Sequence, residues 1–97
     1  MADKRADTLE EQIARAAGVL KAAGAREVYV FGSAAKPRGV PPRDVDLAVS
    51  GLPPEVFFKA YGAAGDMLDL PLDLIDLDDD SPIVNYLKEE GKLVRVG

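Results

Sequence analysis

The sequence contains no cysteine and no histidine. The first absence excludes a disulfide framework, a thiol nucleophile and a thiolate metal site. The second removes the commonest general base and the commonest zinc ligand, so any acid–base or metal chemistry must run on carboxylates. Basic charge is also in deficit: 12 lysines and arginines against 17 aspartates and glutamates leave a net charge of −5. That balance opposes binding to a nucleic-acid backbone, which depends on lysine and arginine displacing counterions. No apolar run approaches the roughly 18 residues of a membrane span, and the stretch from Met1 to Asp7 lacks the apolar segment of a signal peptide. A cytoplasmic location with no membrane and no direct nucleic-acid contact is therefore expected.

What is present is the composition of an ordinary globular protein, 47% hydrophobic and 30% charged over 97 residues. This length predicts one domain over 1–97 and leaves no residues for a separate substrate-recognition domain, so a macromolecular substrate would be recognised in trans. An acidic surface suits a basic protein partner through charge complementarity, and equally suits solubility alone.

Thr8 with Glu11 forms a capping-box pattern, after which Leu9, Ile13, Ala16 and Leu20 recur at helical spacing towards a stop at Gly24. Glu27 to Phe31 reads as a strand apolar on both faces, as expected of a central strand. The proline- and glycine-rich stretch from Gly32 to Arg43 reads as loop, with one helical turn at 33–35. Asp44 to Ser50 is a second strand, whose period of two sends Val45, Leu47 and Val49 to the core and puts Asp44, Asp46 and Ala48 on the other face. Pro53 opens a second helix running to about Leu68, with Val56, Phe57, Ala60, Tyr61, Ala64, Met67 and Leu68 facing the core. Gly62 and Gly65 within it imply close packing against a neighbour. Leu70 to Leu77 reads as a third strand. Asp76, Asp78, Asp79 and Asp80 read as a solvated turn before a short helix capped by Ser81 and ending at Gly91, and Leu93 to Val96 as a last strand. Asp66 and Asp69 read as surface residues.

Two features carry chemistry. The strand ending at Phe31 runs directly into Gly32-Ser33, a turn that can present N–H groups and a hydroxyl to phosphate oxygens. Asp44-Val45-Asp46 then places two carboxylates on one side of the next strand, and Asp73 sits in an apolar run where a lone buried carboxylate would be costly. If the third strand lies beside the second, the three carboxylates converge, and bound Mg²⁺ is the usual relief for their repulsion. Such a cluster suits phosphoryl or nucleotidyl transfer from a nucleoside triphosphate. Asp44 and Asp46 would bridge the metals, and Asp73 would complete one metal site and accept the proton of the attacking hydroxyl. Gly32 and Ser33 would hold the terminal phosphates, with Lys36, Arg38 or Arg43 neutralising them.

The order Val30-Phe31-Gly32-Ser33, Asp44-Val45-Asp46-Leu47-Ala48-Val49 and Leu72-Asp73-Leu74-Ile75 resembles the polymerase-beta-type nucleotidyltransferase superfamily. Within it, the small size is similar to the minimal nucleotidyltransferases, the MNT proteins, over about residues 9–96. The resemblance implies an α+β fold with a small mixed sheet flanked by helices, Mg²⁺ and ATP as cofactors, and Asp44, Asp46 and Asp73 as the metal-binding catalytic triad. It also implies a HEPN-type ribonuclease toxin as partner and a type VII-like antitoxin role, in which AMP passes from ATP to a tyrosine hydroxyl of the toxin. A non-catalytic antitoxin acting by binding, and transfer to a small molecule such as an antibiotic, are the alternatives. Where the family often has Gly-Ser-Arg-Ala-Arg-Gly, this chain has Gly32-Ser33-Ala34-Ala35-Lys36-Pro37, and Arg43 replaces a frequent serine before the first aspartate.

Overall fold

The structure, a computed structural model, describes residues 8–32 and 42–97. The chain begins with helix α1 (Leu9–Ala22), strand β1 (Glu27–Phe31), strand β2 (Val45–Ser50) and helix α2 (Pro54–Gly65), and continues with strand β3 (Leu72–Asp76), helix α3 (Pro82–Glu90) and strand β4 (Val94–Arg95). The strands form one sheet in the order β3-β2-β1-β4. β1 pairs antiparallel with β2 and β4, while β2 and β3, joined through α2, are parallel. This is the small mixed α+β sheet flanked by helices that the sequence implies, with β1 in the interior of the sheet.

Local chemistry sets the element ends. The Thr8 hydroxyl accepts from the Glu11 N–H at 3.1 Å and the Glu11 carboxylate accepts from the Thr8 N–H at 2.9 Å, closing the capping box of α1. The Ser81 hydroxyl caps α3, and Gly91 ends it in the left-handed region at φ 66°. α2 stops at Gly65, short of Leu68, because the chain tightens there: the Met67 and Leu68 N–H groups donate to Ala64 and Gly65, three residues back. β3 begins at Leu72 rather than Leu70, and the Pro71 carbonyl just before it accepts the Val45 N–H where the ladder opens. Val96 donates to the Val28 carbonyl at 2.8 Å, extending the pairing beyond β4 itself.

The period of two sorts the sheet into faces. On one, Val28, Val30, Val45, Leu47, Val49 and Leu74 pack against Ile13, Ala16 and Leu20 of α1 and Ala60 and Ala64 of α2, with Leu68 closing the layer. On the other, Ala48, Leu77 and Val84 form a smaller core with Tyr29, Phe31, Ile75 and Leu93 partly buried around it. The larger layer supplies most of the burial, at about 1.5–3 kcal/mol for each fully buried large side chain. α3 packs on this second face through Val84. Among the described residues no helix is long and apolar enough to cross a membrane.

Among the described residues the close packing expected at Gly62 and Gly65 is absent: a Cβ at either would meet no atom of another element within 4 Å. Gly62 lies on the exposed side of α2 and Gly65 at its half-buried end, so neither is required by a neighbour.

Candidate metal and nucleotide site

Parallel pairing places Asp46 opposite Asp73, and antiparallel pairing places Phe31 opposite Asp46. One carboxylate oxygen from each of Asp44, Asp46 and Asp73 lies within 4.8 Å of the others. The convergence expected from the sequence is thus present, but its setting differs in one respect. β3 is an edge strand and Asp73 is exposed, while Asp44 and Asp46 are half-buried. Asp73 therefore escapes the burial cost that its apolar neighbours suggest.

Asp46 carries the electrostatic cost of the cluster. Partial burial, then the charges of Asp44 and Asp73 and hydrogen bonding with Asp73, hold its carboxyl above the usual carboxylate range. Gly32 lies against the Asp46 carboxylate. It follows β1 at φ 71°, and a Cβ there would collide with the Asp46 carboxylate. The left-handed backbone favours glycine here, and an added Cβ would also displace the Asp46 carboxylate.

Three hard oxygen donors within reach of one another, with no nitrogen or sulfur ligand, fit a small divalent cation such as Mg²⁺. Arg43 precedes the cluster and is exposed. Ser33, Lys36 and Arg38, the other expected phosphate contacts, lie outside the described residues.

Three supporting contacts escape sequence reading. The Tyr61 hydroxyl donates to the Leu72 carbonyl at 2.8 Å, tying α2 to the strand residue before Asp73. A half-buried tyrosine needs such a partner, which was the available signal. Buried Gln12 donates to the Asp69 carboxylate at 2.9 Å and accepts from the Asp69 N–H at 3.1 Å, fastening α1 to the segment that leads into β3. Asp78, expected as solvated, accepts from the Gly51 N–H and joins the end of β2 to the turn after β3.

No protein-family model and no curated protein matches the sequence. Solved structures do match, and they share its small mixed α+β fold. A chain in the structure of a tri-AMPylated Shewanella oneidensis HEPN toxin in complex with MNT antitoxin aligns with a TM-score of 0.65 at 18% identity, over 93% of this chain and 72% of that one. A chain of a toxin–antitoxin complex with AMP-PNP gives 0.66 at 20% identity, over 93% and 73%. A chain of the MntA–HepT toxin–antitoxin complex gives 0.63 at 17%, over 91% and 71%.

Proposed function

We propose that this protein is a Mg²⁺-dependent nucleotidyltransferase of the cytoplasm, a type VII-like antitoxin that transfers AMP from ATP to a tyrosine hydroxyl of a HEPN-type toxin. The observation that carries the reading is the meeting of Asp44, Asp46 and Asp73 beside Gly32, where burial and the neighbouring carboxylates hold Asp46 above the usual carboxylate range. The fold shared with chains from an AMPylated HEPN toxin complex and from a complex with AMP-PNP supports it.

Asp44, Asp46 and Asp73 would hold the metal. Mg²⁺, when bound, supplies charge neutralisation for the triphosphate and for the developing negative charge. The backbone at Gly32 and the Ser33 hydroxyl grip the terminal phosphates, and Lys36, Arg38 and Arg43 offset their charge. The acceptor oxygen attacks the α-phosphorus, a new P–O bond forms, and the bond to the β-phosphate oxygen breaks with its electron pair leaving on pyrophosphate. Asp73, exposed on the edge strand, takes the acceptor proton.

The test is incubation with ATP, Mg²⁺ and a candidate HEPN-type partner, followed by intact mass of both proteins. An added AMP mass on the partner, lost with Asp44→Asn combined with Asp46→Asn, is the expected result; removing a positioned proton acceptor by Asp73→Asn should slow transfer by about two to four orders of magnitude. Tight binding with no mass change would replace the reading with an antitoxin that acts by occlusion. Nucleotidylation of a small molecule without any partner would replace it with an antibiotic-type transferase.

A further inference from the structure

A second feature lies towards the opposite end of β3 from Asp73. Between the first turns of α2 and α3, across the edge of the sheet, is an open groove of about 670 Å³ lined by Leu52, Phe57, Phe58, Leu74, Ile83 and Val84. Its lips are apolar side chains turned to solvent: Phe58 is 80% exposed and Ile83 52% exposed. Phe57 meets Phe58 edge to face at 5.4 Å, so the aromatic lip stands on a half-buried ring. Exposed aromatic surface next to a concave apolar floor marks an interaction site. The edge beneath it is blunted at both ends, at Leu72 by the Tyr61 hydroxyl and at Asp76 by the Asp79 N–H. Addition of a continuous strand is thereby disfavoured, and side-chain insertion is the mode left open.

Charge identifies the occupant. Asp76, Asp78 and Asp79 line one side of the groove, in a chain of net charge −5. A second copy would bring the same acids against them, and an anionic lipid surface would be repelled. We infer that this groove docks a segment of another protein, an amphipathic helix whose apolar stripe inserts between Phe58 and Ile83 and whose flanking lysines or arginines meet Asp76 and Asp79. The interaction is independent of the transfer chemistry, because none of its residues belongs to the carboxylate cluster.

The experiment is an NMR titration of the ¹⁵N-labelled full chain with a synthetic amphipathic helix of leucine and lysine. The control is the same peptide with its leucines replaced by serine. The expected result is saturable shifts centred on Leu52, Phe58, Leu74 and Ile83 with the first peptide and none with the second. Phe58→Ser combined with Ile83→Ser should weaken binding at least about tenfold, and Asp79→Lys, which leaves the apolar lips intact, severalfold. Equal binding of both peptides, or shifts spread over the acidic surface, would overturn the inference. So would unchanged affinity in the Asp79→Lys variant, or self-association of the chain that Phe58→Ser abolishes.

Discussion

Two polar clusters share one face of the sheet and have opposite electrostatics. At one end Glu27 accepts from the Tyr29 hydroxyl at 2.9 Å and from the Ser50 hydroxyl at 3.3 Å, and pairs with Arg95 at 3.6 Å. The Tyr29 hydrogen bond, aided by Arg95, Ser50 and Arg26, outweighs burial and holds the Glu27 carboxyl below the usual glutamate range. At the other end burial and two further carboxylates raise Asp46. One cluster is complete within the chain. The other is built of like charges, the kind of arrangement that favours a bound cation over a structural contact.

The largest expected effect that tests this contrast is at Gly32. Gly32→Ala forces a side chain into the left-handed region and against Asp46, at about 1–2 kcal/mol for the backbone alone. It should lower thermal stability and abolish Mg²⁺ binding measured by calorimetry. Normal Mg²⁺ affinity in this variant would detach Gly32 from the site. Next comes the sign of the pH dependence. A carboxyl raised in the folded state favours folding while protonated, so the Asp46 contribution is lost as pH rises from the ordinary value of 3.8 through its raised value. Asp46→Asn should therefore raise the melting temperature of the metal-free chain at neutral pH. Mg²⁺ should stabilise the unaltered chain, by about 2.7 kcal/mol at a hundredfold excess over its dissociation constant, and leave the variant nearly unaffected. A lower melting temperature for Asp46→Asn would make the cluster structural. The smallest effect is at the complete end. Glu27 is lowered, so its contribution is present above the ordinary value of 4.5 and lost as pH falls through the lowered one. Tyr29→Phe should move the Glu27 titration, followed by carboxyl NMR, back towards 4.5 without changing Mg²⁺ binding.

The helices, strands and carboxylate cluster were legible because short-range pattern determines them. Thr8 and Glu11 are three residues apart, the capping serine at 81 sits at its helix, and the alternation in Val45-Asp46-Leu47-Ala48-Val49 fixes which side chains share a face. What sequence could not give depends on contacts between distant residues. Gln12 and Asp69 meet across 57 positions, and Gly51 and Asp78 across 27. The edge position of β3, which exposes Asp73, follows from strand order, and strand order is not written in any one strand. The expected phosphate contacts Ser33, Lys36 and Arg38 lie outside the described residues, so only Gly32 and Arg43 of that expected set have a place in the structure.

The parallel register of β2 and β3 has a consequence for how the molecule forms. Asp46 faces Asp73 only in one alignment, and a slip of a single residue would send Asp73 to the opposite face. A mispaired sheet therefore cannot assemble the three carboxylates. A cation that binds the assembled cluster would draw the population towards the correctly aligned sheet, so that the same ion serves as a proofreader of folding.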